Sequence, residues 1–190
     1  MGTASRPLPT LRLLEQTPLI RLRSDVERKR LLGLQAGART GSDIDRGAYR
    51  QDITAATYRD LAATARRLLR AGWPVLVDAS FLDPRERRHF ARLAARLGVP
   101  FHILACTAPA EVLEQRVVAR DAQGVDASEA GSAVLAAQRA RYRPLGTDEQ
   151  AGAVVVDTSR PYELPEALAF DWATSQSIAP SRRAYRLAPN

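Results

Sequence analysis

The chain has 190 residues, of which 45% are hydrophobic, and 28 basic residues outnumber 21 acidic ones. This length suits one domain with a sizeable core. No apolar run approaches the roughly 20 residues of a membrane span, and the lone Cys106 excludes an internal disulfide. Because no apolar stretch follows Arg6, the first residues do not resemble a secretory signal, and we expect a cytoplasmic protein.

The formal net charge of +7 favours association with nucleic acid or other phosphates. The arginines, however, are spread over helix-like segments such as "ATARRLLRAG" and "PRERRHFARLAARLG" and do not cluster with aromatic residues. That distribution is typical of solvated helix faces whose arginine stems cover apolar neighbours. Nucleic-acid binding therefore remains an alternative that the charge alone suggests.

The first half of the chain alternates between strand-like and helix-like patterns. Residues 19–24 are the first strand candidate, and a short helix at 25–33 follows. The stretch 33–47 is rich in glycine and small polar residues, which predicts a loop. A helix is predicted over 52–72, because its apolar residues recur on one face, and a strand over 73–80.

The second half continues the alternation. A helix over 83–98 begins with Asp83 as its N-cap and Pro84 at its first position, a combination typical of helix starts. The remaining candidates are a strand, two helices and a last strand, at 99–108, 109–122, 126–142 and 152–159. We predict one domain over residues 1–174 and a poorly ordered tail over 175–190.

Apolar strands separated by amphipathic helices predict an α/β domain whose parallel sheet is covered on both faces. In such sheets, ligands bind beyond the carboxyl ends of the strands. Asp25, Asp78 and Asp157 all fall at predicted strand ends. A carboxylate there can accept a proton from a hydroxyl or hold a magnesium ion, but aspartate also caps helices and turns. We interpret Asp157 as a turn residue and leave both interpretations open for Asp25 and Asp78.

Arg116 and Arg120 lie four residues apart in "EQRVVARD". On a helix this spacing puts both guanidinium groups on one face, where they could grip a phosphate chain. Surface arginines at this spacing are also common, so a solvated face is the alternative.

Several segments, in order, carry a resemblance to a known family. They are "RLRSDVERKRLLGL", "AGWPVLVDASFLDPRERRHFARLAARLGVPF", "ILACTAPAEVLEQRVVARD", "DASEAGSAVLAAQ" and "VVVDT". Together they resemble the P-loop kinase-like ATP-binding domain of the AAA-family ATPase type, whose relatives include polynucleotide kinases and zeta-toxin-like kinases. In bacteria such a domain often follows an aminoglycoside-phosphotransferase-like domain. The resemblance extends from about Leu19 to Thr158.

The resemblance implies a three-layer α/β/α fold that binds ATP and Mg²⁺ and transfers a phosphoryl group to a small-molecule or nucleotide-type hydroxyl acceptor. It implies that Asp25 faces the acceptor hydroxyl and that Asp78 lies near the metal and the phosphates. Arg116 and Arg120 match a lid-like helix whose arginines approach the phosphates. Lys29, the only lysine, is interpreted as a surface charge in the helix after "RSD".

The sequence also departs from the family pattern. The family domain opens with a strand and a G-x-x-x-x-G-K-[ST] phosphate loop, and no such loop occurs in this sequence. Thr10 and Leu11 resemble the residues that follow the motif's lysine, so residues 10–25 could retain the end of the P-loop helix. Because the family's first strand is central, its absence should leave two strands with unpaired edges.

Three explanations of this departure stay open. Leu11–Leu14 or the tail could replace the strand, or the chain could be a truncated or decayed form of a longer one. The function is accordingly ATP-dependent phosphoryl transfer if the domain is complete. The alternatives are a non-catalytic, degenerate nucleotide-binding module and a basic nucleic-acid-binding module.

Overall fold

The computed structural model describes residues 9–36, 38, 51–123 and 132–164. Within these ranges, helices and strands alternate as a chain of parallel strands requires. The helices are α1 (Pro9–Gln16), α2 (Ser24–Leu31), α3 (Gln51–Arg70), α4 (Pro84–Leu97), α5 (Ala110–Gln123), α6 (Ser132–Arg141) and α7 (Thr147–Gln150). The strands are β1 (Ile20–Arg23), β2 (Val75–Asp78), β3 (Ile103–Thr107) and β4 (Ala153–Asp157).

The strands form two parallel pairs, which confirms the predicted α/β class. β1 pairs with β2, and β3 pairs with β4. One continuous sheet is not formed by the described residues, because β2 and β3 are not hydrogen-bonded to each other.

The main core lies between the β1–β2 pair and helices α3 and α4. Its centre consists of six buried side chains: Tyr58, Leu61, Ala62, Ala65, Phe90 and Leu93. Leu22, Val75 and Val77 pack against this centre from the sheet. Since alternate strand residues point to opposite faces, Arg21, Arg23 and Asp78 occupy the other face of the same pair.

Helix α4 has the predicted start. The Asp83 carboxylate accepts a hydrogen bond from the Arg85 backbone N–H at 2.8 Å, and Pro84 follows at the first helical position. The Arg85 contacts lower the pKa of Asp83 to about 2. Gly98 ends the helix in the left-handed conformation, with φ of 66°. These local signals are sufficient to fix both ends of α4.

A buried arginine joins the two halves of the molecule. Arg87 of α4 is only 4% exposed and makes two hydrogen bonds to Glu149 of α7, at 2.7 and 2.8 Å. It also donates to the carbonyl oxygens of Phe81, Arg143 and Pro144. This one guanidinium therefore holds α4 against the chain between α6 and β4.

The structure corrects two expectations and adds one helix that the sequence did not predict. Leu11–Leu14 lies in helix α1, so this segment does not replace the missing strand. The short helix α7 was not predicted, because four residues carry too little periodicity. Lys29 is 4% exposed and not a surface charge, since α2 packs against α3 and the Lys29 ammonium donates to the Ala36 carbonyl at 3.2 Å.

Other expectations fall outside the described residues. They include the tail at 175–190, the domain boundary at 174 and most of the predicted loop at 33–47. Among the described helices, none is long and apolar enough to cross a membrane.

Candidate functional site

The register of the β1–β2 pair brings the two candidate carboxylates to one edge. Arg23, the last residue of β1, is paired directly with Asp78, the last residue of β2. Asp25 follows two residues after Arg23, in the first turn of α2. Asp25 and Asp78 therefore both lie at the carboxyl edge of this strand pair, where open α/β sheets bind ligands.

Asp78 is held by an arginine of the neighbouring strand. The Arg21 guanidinium contacts Asp78 Oδ2 through Nε, at 2.9 Å, and through Nη2. The Asp78 side chain is 31% exposed and the Arg21 side chain 18% exposed, so the ion pair is partly shielded from water. Within the described part of the chain, Asp78 Oδ1 accepts no hydrogen bond.

Asp25 combines a structural contact with an ion pair. Its Oδ1 accepts from the Val26 backbone N–H at 2.9 Å, as a carboxylate in the first turn of a helix can. The Arg23 guanidinium grips both carboxylate oxygens, at 3.1 and 2.5 Å. Asp25 is therefore oriented by its own helix and covered by the last residue of β1.

Arg116 lies at the carboxyl edge of the other strand pair. It donates to the Thr158 hydroxyl at 2.7 Å and to the Thr158 carbonyl at 2.6 Å. The Thr158 hydroxyl in turn donates to the Thr107 carbonyl at 2.9 Å. Arg116 is thus hydrogen-bonded to the end of β4. Arg120 follows four residues later in α5, and its side chain lies outside the described residues.

Asp157 has the contacts of a turn residue, as the sequence indicates. Its Oδ1 accepts from the Ser159 backbone N–H at 2.9 Å and from the Ser159 hydroxyl at 2.6 Å. Arg160 donates to its other oxygen at 2.8 Å. These contacts lower the pKa of Asp157 to about 2. The carboxylate is therefore occupied in stabilising the turn after β4.

The loop after β2 is fixed from three sides. Phe81 has an unusual positive φ of 44°. Its backbone N–H donates to the Tyr58 hydroxyl at 3.0 Å, its carbonyl accepts from Arg87 at 2.9 Å, and its ring packs against Tyr58 and Phe90. Burial raises the pKa of the Tyr58 hydroxyl above its ordinary value. This packing determines where the chain leaves Asp78.

An open cavity lies beyond β4, at the same edge as Arg116. Its volume is about 320 Å³, and its lining includes Val155, Asp157, Arg160 and Tyr162. Val155 is 65% exposed, which is unusual for a valine in the middle of a strand.

Comparison of the sequence with models of known protein families identifies the domain. The model of a family described as AAA domain matches residues 10–145, which is most of the chain. The chain belongs to this AAA domain family.

Two uncharacterized proteins, from Mycobacterium tuberculosis and Mycobacterium bovis, are similar to this AAA domain. Each is 33% identical over 99 residues, which is 52% of this chain and 20% of the relative. The chain thus matches about a fifth of the length of these relatives.

A crystal structure of a candidate kinase from Chloroflexus aurantiacus has a similar fold. The TM-score is 0.55 and the identity 21%, over 87% of this chain and 85% of the other. At this identity the likeness concerns the fold. Together with the family match, it supports a P-loop kinase-like nucleotide-binding domain.

The family implies a bound magnesium–nucleotide complex. The residues of this AAA domain suit the magnesium ion but do not include the family's loop for the phosphates. Among the described residues, no three His, Cys, Asp or Glu side chains are grouped to hold a metal ion. Mg²⁺, however, is commonly held by one or two carboxylates together with phosphates and water. Asp78, whose Oδ1 accepts no hydrogen bond from the described residues, fits that mode. The sequence offers no glycine-rich loop for the phosphates.

The sequence interpretation missed the arginine partners of both carboxylates. The signal was present in "LIRLRSD", since strand alternation puts Arg21 and Arg23 on the same face. The pairing of that face with Asp78 depends on the β1–β2 register, which the sequence does not give. Thr158 was missed because Arg116 and Thr158 are 42 residues apart.

Proposed function

We propose that this AAA domain transfers a phosphoryl group from ATP to a hydroxyl acceptor, which is a small molecule or a nucleotide-type compound. The observation that carries the proposal is the position of Asp25 and Asp78 at one carboxyl edge, fixed by the pairing of Arg23 with Asp78. In phosphoryl transfer, catalysis rests on positioning and on compensation of charge, and few groups are needed at the acceptor.

In this proposal Asp25 accepts the proton of the acceptor hydroxyl. Its fixed position in the first turn of α2 favours the role, because the Val26 N–H orients the carboxylate. An acceptor must then compete with the Arg23 guanidinium for the Asp25 oxygens. The displaced guanidinium stays at the same edge, where positive charge favours phosphate.

Asp78 would hold the magnesium ion, through Oδ1 or after release from Arg21. The ion would supply charge compensation for the phosphates and orient them toward the acceptor. Arg116 and Arg120 would bind phosphate oxygens through their guanidinium groups. Arg116 must leave Thr158 to do so, since its terminal nitrogens Nη1 and Nη2 are bonded there.

Calorimetry of ATP binding to this chain, with and without Mg²⁺, tests the nucleotide part of the proposal. We expect Mg²⁺-dependent binding that is about tenfold or more weaker in Asp78→Ala and in the double variant Arg116→Ala, Arg120→Ala. Asp60→Ala is the matched control, since Asp60 is 41% exposed and pairs only peripherally with Arg30, at 3.2 Å. A folded chain that binds no ATP would overturn the proposal for this chain.

Asp25→Asn tests the catalytic part. The substitution keeps the size and an acceptor oxygen but removes the basic carboxylate, so transfer should be lost while ATP binding persists. Phosphate release and acceptor labelling from γ-labelled ATP are the measurements. Retained transfer would remove Asp25 from the role of base.

A non-catalytic nucleotide-binding module is the second candidate. Two observations favour it: the sequence has no Gly-Lys-Ser or Gly-Lys-Thr loop, and arginines occupy both carboxylates. ATP binding without transfer in the unmodified chain would support this candidate. Nucleic-acid binding rests on the net charge alone and would be recognised by its steep dependence on salt concentration.

An aminoglycoside-phosphotransferase-like domain, fused or separate, stays the proposed partner. The support is the family resemblance, together with the greater length of the mycobacterial relatives. Co-purification of the two domains, followed by the ATP assay above, would test it.

A further inference from the structure

Helices α3 and α4 lie on the same face of the β1–β2 pair. Leu61 of α3 and Phe90 of α4 belong to one core cluster, and Val75 and Val77 of β2 pack against it. Helix α3 leads into the start of β2, and α4 begins just beyond its end. Because these connections are short, each helix runs back along the strand. The carboxyl-terminal halves of α3 and α4 therefore both lie toward the start of β2.

Arginine side chains line the outer surface of these two helix halves. The positions are Arg66, Arg67 and Arg70 of α3 and Arg88, Arg92 and Arg96 of α4, all of them exposed. Spacings of three and four residues keep the arginines of each helix on its outward side, and four residues advance about 6 Å along the axis. Packed helices lie about 8 to 10 Å apart, so the two rows form one patch. We call this patch the basic face.

The arginines of the basic face form no ion pair within the described part of the chain. Exposed arginines elsewhere do, such as Arg30 and Arg139, whose nearest carboxylate oxygens lie at 2.5 and 3.7 Å. In the sequence between residues 61 and 103, the acidic residues are Asp78, Asp83 and Glu86. All three come before the second turn of α4, so none lies among the arginines of the carboxyl-terminal halves.

The side chains of the basic face favour a row of phosphates over other anionic partners. The remaining exposed positions of these helix halves are Ala63 and Ala95, and the exposed aromatic residues Trp73 and Phe101 lie beyond the helix ends. Single strands are held by stacking on aromatic side chains, and membrane surfaces by apolar anchors. A nucleic-acid duplex needs neither, because its phosphates lie outside and guanidinium groups bind them directly.

We propose that the basic face binds the phosphate backbone of double-stranded nucleic acid. The net charge of +7 gives a polyanion no particular site, whereas the packing of α3 beside α4 gathers the arginines into one. Arg88 and Arg96 are about 12 Å apart along α4, and a B-form duplex carries about seven phosphates in that length. Contacts to the backbone carry no sequence information, so binding is independent of base sequence.

The proposal does not depend on phosphoryl transfer. Asp25 and Asp78 lie at the carboxyl edge of the β1–β2 pair, whereas the basic face lies on the outer side of the helices toward the amino end of β2. Duplex binding and ATP binding are measured separately, so either can fail without the other.

Fluorescence anisotropy of a labelled DNA duplex of about 20 base pairs tests the proposal on the full chain. We expect the logarithm of the binding constant to fall with the logarithm of salt concentration, with a slope of about −4 or steeper, as for five or more phosphate contacts. The double variant Arg92→Gln, Arg96→Gln should make this slope shallower by about 2 and weaken binding about tenfold or more at about 0.1 M salt. A second duplex of unrelated sequence should bind equally.

The matched control is the double variant Arg30→Gln, Arg139→Gln. It removes the same charge from arginines that are 64% and 52% exposed and lie outside the basic face, so its slope should equal that of the unmodified chain. Equal losses in the two double variants would mean that net charge acts without a site, and would overturn the proposal. So would the absence of duplex binding at about 50 mM salt.

Three further probes identify a different occupant. They are a single strand of the same sequence, polyglutamate and vesicles that contain phosphatidylserine. Tighter binding of any one of them than of the duplex would assign the basic face to single strands, to an acidic polypeptide or to a membrane surface. Each of these results would overturn the proposal.

Discussion

Each of the two candidate carboxylates forms an ion pair with an arginine side chain. Arg21 binds Asp78 and Arg23 binds Asp25, although nothing in the family resemblance required these contacts. Such ion pairs are partly exposed and contribute little to stability. Their consequence is functional, because a metal ion or an acceptor must compete with a guanidinium group at each carboxylate.

Lys29 offers a direct test of burial at the residue scale. Because it is the only lysine, an amine-reactive ester can modify only Lys29 and the terminal amine. Lys29 is 4% exposed and donates to Ala36, so its modification in the folded chain should be about tenfold or more slower than in urea. Mass spectrometry gives both rates, and the terminal amine is the internal control. Equal rates in both states would place Lys29 at the surface.

Arg87 is expected to be the most costly arginine to remove from α4. Arg87→Ala leaves the Glu149 carboxylate and three carbonyl groups without their donor, and should lower the free energy of unfolding by about 2 to 3 kcal/mol. Urea denaturation measures the change. Arg85→Ala is the matched control on the same helix, since Arg85 is 84% exposed, and its midpoint should not change. Equal midpoints for both variants would contradict this account.

At the scale of single elements, helices followed their local signals more closely than strands did. The start of α4 at Pro84 and its end at Gly98 follow from residues within one turn of each boundary. The observed strands are shorter than the predicted ones, because a strand extends only as far as its partner does. The predicted strand over 99–108, for example, forms only between Ile103 and Thr107.

Gly98 and Gly152 allow the cost of an unfavourable backbone conformation to be measured separately from the cost of a steric clash. A Cβ at either position would meet no atom within 4 Å, but only Gly98 has a positive φ, of 66°. Gly98→Ala should therefore lower the free energy of unfolding by about 1 kcal/mol, through left-handed strain alone. Thermal unfolding of this variant and of the control Gly152→Ala provides the comparison. A larger loss in the control would refute the assignment of the cost to φ.

At the scale of the whole molecule, the Arg87–Glu149 ion pair joins helix α4 to helix α7, which precedes β4. Arg87 lowers the pKa of Glu149 below its ordinary value of 4.5. The folded chain thus keeps this carboxylate ionised at a pH where the unfolded chain protonates it. The pair's contribution is complete above about pH 4.5 and is lost as the pH falls through the lowered pKa.

Glu149→Gln tests this linkage. The variant should be less stable than the unmodified chain at pH 7, and the difference should shrink as the pH falls below 4.5, the ordinary value for glutamate. Urea denaturation at several pH values measures it, with Glu111→Gln, an exposed glutamate of α5, as control. A difference that is constant with pH would mean that the ionised pair does not supply the stability.

The α/β class, the family and the position of Asp25 and Asp78 at strand ends could be predicted from the sequence, since these depend on local periodicity and on residues close in the chain. The pairing of Arg21 with Asp78, the burial of Lys29 and the contacts of Arg87 could not be predicted, because each of them joins elements whose relative position is set by packing. Arg21 and Asp78 are 57 residues apart and Arg87 and Glu149 are 62 apart. At such separations the strand register and helix packing decide which side chains meet.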